Sequence, residues 1–211
     1  PSPRFLNGLA LTVIISIVSM ALALLLGLMI ALMGRSRFLP LRLFASVYVW
    51  VIRGTPLLVQ LVIIYTGFAA AGLFRFEDVD LFGTLIKGAV QAAIVGLTLN
   101  ESAYISEIVR SGLESVDRGQ NEAALSLGMT PMKSMRQIIV PQAVRIMLPS
   151  LVAQLVVLLK DSSLGFIVSY PELLKAIQNN GQYFGNRYFV ALFVVGAGIY
   201  LAVNLTLSWF A

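Results

Sequence analysis

Long stretches without a charged residue constrain this chain of 211 residues more than any other feature. Residues 5–34, 54–74 and 188–211 contain no Asp, Glu, Lys or Arg. Apolar residues make up 58% of the chain and charged residues only 12%, whereas about 25% of an ordinary soluble domain is charged. Such a chain lacks the polar side chains to cover a water-exposed surface, so we expect an all-α integral membrane protein in a lipid bilayer.

The charges between the apolar runs divide the chain into five predicted membrane-spanning helices. A spanning helix needs about 20 mostly apolar residues to cross about 30 Å of hydrocarbon. The predicted spans are residues 5–34, 56–74, 81–108, 146–159 with its flanks, and 188–211. A helical or irregular approach segment, 43–52, precedes the second span, and Pro56 predicts a bend or break between the two. We expect one transmembrane domain over residues 1–211.

The distribution of Lys and Arg predicts the orientation of the spans, because short cytoplasmic loops are enriched in these residues. Eight of them follow the first span or lie between the third and fourth spans: Arg35, Arg37, Arg42, Arg110, Arg118, Lys133, Arg136 and Arg145. The loop after the second span is acidic, with Glu77, Asp78 and Asp80. The amino terminus is therefore expected outside and the carboxyl terminus inside.

The residue types that are missing exclude several classes of function. The chain has no cysteine and no histidine, so disulfides, imidazole catalysis and the usual zinc, haem and iron–sulfur ligand sets are excluded. We expect no metal, no bound cofactor and no catalytic residue. The net charge of +5 is spread between apolar runs and forms no basic stripe, which argues against nucleic-acid binding.

The only long polar stretch, the predicted cytoplasmic loop at about 109–142, carries the signals of two short helices. Asp117 is a predicted N-cap, and Gly128 is a predicted left-handed stop for the first helix. Thr130 and Pro131 predict the start of the second, and Pro141 its far end. Apolar side chains in this loop favour docking into another protein, although a helix lying on the membrane or on its own bundle has the same pattern.

The loop resembles the EAA loop of binding-protein-dependent ABC importers, in which E-A-A is followed after three residues by G and after nine more by I-x-L-P. Here the pattern begins at Glu122 and continues with Gly128 and Ile138, with Val140 in place of the usual Leu. Three further stretches are similar to the polar amino acid permeases of that class: RGTPLLVQ at 53–60, ESAYISEI at 101–108 and LKDSSL at 159–164.

The resemblance implies a type I ABC importer permease fold and a set of partners. Two permease subunits, identical or homologous, would pair with two ATPase subunits and an extracytoplasmic binding protein in a bacterial or archaeal cell membrane. The predicted ATPase-coupling residues are Glu122, Ala123, Ala124, Leu127 and Gly128. The sequence contains no Gly-Lys pair and therefore no P-loop, so ATP and Mg²⁺ are expected on the partner ATPase.

Two acidic residues inside predicted spans are the candidate substrate-binding groups, because an ionisable side chain at membrane depth usually faces a bundle interior or a cavity. Glu101 and Asp161 would bind the ammonium of a polar amino acid, and Ser162, Ser163 and Ser102 its carboxylate. The serines after Asp161 also predict that the fourth helix unwinds there. The alternative is a set of structural ion pairs, Asp161 with Lys160 or Lys175 and Glu101 with Arg53 or Arg110.

Arg53 and Pro56 are predicted gate or structural residues at the inner end of the second span. Arg53 is either an intracellular gate or inter-helix ion pair, or an anchor in the lipid head groups; Pro56 alone marks only a helix boundary. On the outer side, Ser169 and Glu172 predict a capped helix at about 170–179 that receives a binding protein, gates the path or covers a short span.

We therefore expect the membrane-spanning subunit of an ATP-driven importer of polar amino acids that works by alternating access and is itself no enzyme. One alternative is an ion-gradient-driven secondary amino acid transporter, against which the odd number of spans argues. An intramembrane enzyme is the other, for which only an acidic pair is available.

Overall fold

The computed structural model describes residues 3–81, 84–168 and 189–209. These residues are almost entirely helical, which confirms the all-α prediction, with one short hairpin as an exception. The helices are α1 (Pro3–Gly34), α2 (Leu39–Gly54), α3 (Leu57–Val62), α4 (Phe68–Ala70), α5 (Gly88–Glu114), α6 (Arg118–Ser126), α7 (Pro131–Ser134), α8 (Val140–Asp161) and α9 (Phe189–Trp209).

Helix α1 packs along the central helix α5, and small residues allow the two backbones to approach closely. A Cβ added at Gly27 would lie 2.9 Å from the carbonyl oxygen of Ser102 and 2.7 Å from Cγ2 of Ile105. The main core forms at this contact and contains Ile15, Leu97 and Ile105, which are almost fully buried. The opposite side of α1 exposes large apolar side chains, as expected for a surface that faces lipid.

Helices α2 and α3 form a bent pair with an angle of 104° between them. The break lies at Thr55 and Pro56, both in extended conformation, because a proline disfavours helical geometry in the residue before it. The predicted approach segment is thus a helix. After α3 the helix continues through a π-helical segment (Ile63–Gly67) and α4. It ends at Ala70, four residues before the predicted end of this span.

The prediction of one helix over 81–108 is wrong at its amino-terminal end. Strand β1 (Val79–Leu81) pairs antiparallel with β2 (Thr84–Ile86), and Val79 lies opposite Ile86. Helix α5 begins only at Gly88, whose backbone N–H donates to Oδ1 of Asp78 at 2.8 Å. This carboxylate satisfies a free donor of the first helical turn, so the acidic loop fixes the start of the helix.

The second predicted boundary that fails is Pro141 as the end of a short loop helix. Helix α7 continues through a π-helical segment (Met135–Ile139) directly into α8, and a continuous helical segment runs over Pro131–Gly165. Pro141 lies at the start of α8, directly after the π-helical segment, which shifts the backbone hydrogen bonds. Its missing N–H therefore does not end the helix. The fourth span is therefore much longer than 146–159.

The described residues contain two helices that are long and apolar enough to cross a membrane, Asn7–Gly34 and Pro131–Gly165. They contain three if the bent pair α2–α3 counts as one span. Helix α5 is less apolar because polar residues such as Asn100 and Glu101 lie in its middle, and the apolar stretch of α9, Val190–Val203, is shorter than a span. Five spans and their orientation stay a prediction, and the predicted outer helix at 170–179 lies outside the described residues.

Candidate functional site

A cavity of about 550 Å³ lies at the break between α2 and α3, where these helices meet α5 and α8. Four residues that the sequence singled out line it: Arg53, Pro56, Glu101 and Asp161. The rest of its lining is Gly54, Thr55, Leu57, Asn100, Tyr104, Gln154 and Val157. The fold thus brings both candidate acids to one cavity, although 60 positions separate them in the sequence.

Glu101 reaches the cavity from the middle of α5 and is only 1% exposed. Its Oε2 accepts a hydrogen bond of 2.7 Å from Nε2 of Gln154 on α8. Among the described residues it forms no salt bridge, and the suggested partners Arg53 and Arg110 pair with Glu107 instead. A buried carboxylate with an amide partner and no counter-ion is suited to binding a cation.

Asp161 is the last residue of α8, and the chain then tightens into a 3₁₀ helix (Ser162–Val168). The predicted unwinding at this point is therefore a change of helix type. Asp161 is half-buried and contributes to the same cavity wall as Glu101. Two carboxylates from two helices are thus available to one ligand.

The three candidate serines are not brought to the cavity lining. Ser162 donates to the carbonyl of Leu159, and Ser163 to that of Lys160, each at 2.7 Å. Such bonds to the preceding turn are the usual local choice of a hydroxyl on a helix.

Ser102, the third serine, is fully buried between α2 and α5. Its Oγ lies 2.6 Å from the Tyr48 hydroxyl, which also donates to the carbonyl of Leu99 at 2.8 Å. The side-chain donors in the cavity wall are instead Arg53, the amides of Asn100 and Gln154, and the hydroxyls of Thr55 and Tyr104.

The amide of Gln60, which was not among the predicted site residues, holds the bend. Its Nε2 lies within hydrogen-bond distance of the Ile52 carbonyl (2.7 Å), the Thr55 carbonyl (3.1 Å) and the Thr55 hydroxyl (2.7 Å). Its Oε1 accepts from Nδ2 of Asn100 at 3.2 Å. Gln60 is a lone amide in an otherwise apolar run, and that isolation was the available signal.

Arg53 occupies the last turn of α2 and contributes to two cavities. Its guanidinium lies 5.2 Å from the ring centroid of Tyr104, and Nη1 lies 3.8 Å from Oε2 of Glu107. Gly54 and Tyr104 also line both cavities. Arg53 therefore stands in the wall that separates them, the position expected of a gate or an inter-helix ion pair.

The second cavity, of about 640 Å³, lies between α2, the carboxyl-terminal part of α1 and that of α5. Three arginines and one acid line it: Arg35, Arg53, Arg110 and Glu107. The other lining residues are Ile30, Ala31, Gly34, Ala45, Ser46, Val49, Trp50, Gly54, Tyr104 and Ser106.

The polar loop folds as its caps predict. The Asp117 carboxylate accepts from the N–H of Gly119 at 2.6 Å, and the Thr130 hydroxyl accepts from Lys133 at 3.3 Å. Gly128 ends α6 at φ +79°, a left-handed conformation that favours glycine.

The candidate coupling residues divide into two groups by exposure. Glu122, Ala123, Leu127 and Gly128 are exposed, and Leu127 is 84% exposed, an unusual state for a leucine on a loop. Ala124 is only 4% exposed and packs inside the loop. The exposed residues are available to a partner, whereas Ala124 is buried.

A third cavity, of about 750 Å³, lies beside the β-hairpin. Its lining carries charges of both signs: Arg75, Glu77, Asp78 and Lys87. No group of three or more His, Cys, Asp or Glu side chains suited to a metal ion occurs in the part of the chain that the structure describes.

The sequence is similar to a family of membrane transport components and to two amino-acid permeases. Residues 23–211 match the family described as "Binding-protein-dependent transport system inner membrane component". A probable amino-acid ABC transporter permease protein of Bacillus subtilis (strain 168), YckA, is 40% identical over 203 residues, which are 95% of this chain and 83% of YckA. The glutamate/aspartate import permease protein GltK of Escherichia coli O6:H1 is 37% identical over 212 residues, 98% of this chain and 89% of GltK.

A solved structure is also similar over almost the whole chain. The crystal structure of an amino acid ABC transporter with histidines superimposes with a TM-score of 0.88 at 37% sequence identity. The match covers 99% of this chain and 91% of the other.

Proposed function

The chain belongs to the family of binding-protein-dependent transport system inner membrane components, and from that premise we propose that it is the permease subunit of an ATP-driven importer of polar amino acids. Its relatives are amino-acid permeases, which favours this function over an ion-driven secondary transporter. The chain contributes the path through the membrane and alternates between outward and inward access.

The observation that carries the choice of substrate is the pair of carboxylates at one cavity. Every α-amino acid has an ammonium group, and Glu101 and Asp161 offer it two anionic partners at one cavity. The cavity wall carries one cation, Arg53, which is available to the carboxylate of the substrate. GltK is named for glutamate and aspartate, and the similar solved structure holds histidines, so we propose the class of polar amino acids and no single member.

Coupling to ATP is assigned to the exposed face of α6. Leu127 and Ala123 would insert into a cleft of a separate ATPase, with Glu122 and Gly128 beside them, and ATP and Mg²⁺ would be bound by that partner. Two copies of the ATPase, a second permease subunit and an extracytoplasmic binding protein complete the assembly. The exposure of these residues on a capped helix supports the assignment.

The proposed arrangement in the membrane has five passes: α1, the bent pair α2–α3, α5, α8 and α9. The amino terminus lies outside and the carboxyl terminus inside. With this orientation the loop carrying α6 faces the ATPase, and the β-hairpin faces the binding protein. The charged cavity beside the hairpin is consistent with a docking surface on the outer side.

The test is ATP hydrolysis by the chain co-purified with its native partners in lipid nanodiscs, with binding protein and a panel of amino acids. One amino acid should stimulate hydrolysis. Glu101→Gln and Asp161→Asn should each raise its half-maximal concentration by about tenfold, since each removes one charged contact from the ligand.

Glu114→Gln is the matched control, because it removes the same charge from an exposed position that lies outside the cavity. Its half-maximal concentration should equal that of the wild type. If the purified chain moves substrate in liposomes without any ATPase, the secondary transporter replaces the importer. If all three variants behave alike, the cavity is not the substrate site.

A further inference from the structure

We propose that the cavity between α1, α2 and α5 binds the head group of an anionic phospholipid from the cytoplasmic leaflet. The cavity is the one of about 640 Å³ that Arg35, Arg53 and Arg110 line. This assignment rests on the proposed orientation of the chain and adds a ligand to it.

The charges of the cavity favour a phosphate group. Its lining has three arginines and one acid, Glu107. Arg110 is engaged by Glu107 and Glu114, with both shortest N–O distances at 2.8 Å. Arg35 is exposed and forms no salt bridge with a described acid, so it is the cation most available to a ligand. Arginine binds phosphate oxygens through two parallel hydrogen bonds, which a lysine does not reproduce.

The walls of the cavity distinguish a lipid from a free phosphate ion. Ile30, Ala31 and Ala45 line the cavity where α1 meets α2 and are almost fully buried, whereas Val49 and Trp50 of α2 are more accessible. The apolar surface open to an acyl chain is therefore that of Val49 and Trp50, and a small ion gains nothing from it. Trp50 lies at the rim and is 79% exposed, as an indole at the level of lipid head groups usually is.

The position of the cavity along the chain fits the membrane surface. Arg35 directly follows Gly34, the last residue of the apolar helix α1, and Arg53 lies in the last turn of the apolar helix α2. Arg35 and Arg53 line the same cavity, so the end of α1 and the last turn of α2 lie close together. In the proposed orientation, the end of the apolar helix α1 lies near the cytoplasmic head groups. Basic pockets between membrane helices on the cytoplasmic side are a known kind of site for anionic lipids.

The test measures lipid retention by the complex of chain and ATPase, with native mass spectrometry after exchange into phosphatidylcholine with and without phosphatidylglycerol. The wild type should retain phosphatidylglycerol. Arg35→Gln should weaken retention about fivefold, the contribution of one basic residue near an anionic surface. Arg35→Lys should restore part of it, because the charge returns without the paired hydrogen bonds.

Arg37→Gln is the matched control, since it removes the same charge two residues away and outside the cavity. Equal loss in Arg35→Gln and Arg37→Gln would mean a general surface charge effect and would overturn the site. Inorganic phosphate should fail to displace the lipid; displacement at a concentration equal to that of the lipid would assign the cavity to a free anion instead.

A second copy of the chain is the remaining occupant, and a single cysteine tests for it because the chain has none of its own. Ser46→Cys lines the cavity. A disulfide between two copies under a mild oxidant would mean that the partner subunit covers the groove, which overturns the lipid site. ATP hydrolysis stimulated by binding protein in the same preparation reports separately on the proposed transport function.

Discussion

The side chain of Gln60 makes the α2–α3 bend a defined structure instead of a loose joint. A break in a membrane helix leaves backbone carbonyls without partners, and each is costly to bury. The Gln60 amide serves the carbonyls of Ile52 and Thr55 on one side of the break and accepts from Asn100 on α5. One residue therefore closes the bend and fixes it to the central helix.

We predict that Gln60→Met, which keeps the volume but removes both polar functions, destabilises the protein by about 1–3 kcal/mol. Asn100 would lose its partner in a buried place, and the carbonyls of Ile52 and Thr55 would lose theirs in a partly buried one. The thermal unfolding temperature of the purified complex measures the effect. Gln137→Met, at an exposed amide, should leave that temperature unchanged, and an equal change in both variants would contradict the role of Gln60.

At the scale of residues, the sequence predicts charged cavity residues better than hydroxyl ones. Glu101, Asp161 and Arg53 stand out because a charge in an apolar run is costly unless it faces a cavity or a partner. Serines carry no such cost, since the carbonyl of the preceding turn always offers a local partner, as Ser162 and Ser163 illustrate. Their neighbourhood to Asp161 in the sequence therefore says little about where their hydroxyls lie.

Among the elements, the contact between α1 and α5 depends on the absence of a side chain at Gly27. We predict that Gly27→Ala destabilises the protein by about 1–3 kcal/mol, because its Cβ would lie 2.9 Å from a backbone oxygen that belongs to a packed helix. The free energy of unfolding in a denaturant titration measures the cost. Gly198→Ala is the control, since a Cβ there meets no atom within 4 Å. No difference between the two variants would show that α1 and α5 separate without loss.

The two wrong element boundaries have separate physical causes. Residues 81–87 are apolar enough to prolong a helix, but the Asp78 carboxylate supplies a cap that fixes the helix start at Gly88, and tertiary contacts of this kind are invisible in hydropathy. A proline such as Pro141 normally ends a helix, but the π-helical segment before it changes the hydrogen-bond pattern that the proline would break. The caps at Asp117, Thr130 and Gly128 are confirmed because they depend only on neighbouring residues.

For the whole molecule, the proposed orientation makes a prediction that a chain without cysteine can test directly. Asn7→Cys lies near the start of α1 and Ser126→Cys lies at the end of α6, and both positions are exposed. In intact cells a membrane-impermeant maleimide should label Asn7→Cys and spare Ser126→Cys, and permeabilised cells should show labelling of both. The reverse pattern in intact cells would invert the topology and place α6 out of reach of any ATPase.

The continuous helical segment Pro131–Gly165 joins the two ends of the proposed mechanism in one body. Its first turn packs against α6, and Asp161 near its other end lines the cavity with Glu101. At about 1.5 Å per residue the segment is roughly 50 Å long, so a tilt of about 5° around its middle moves each end by roughly 2 Å in opposite directions. A small displacement of the cytoplasmic end would therefore move Asp161 in the opposite direction by a similar distance.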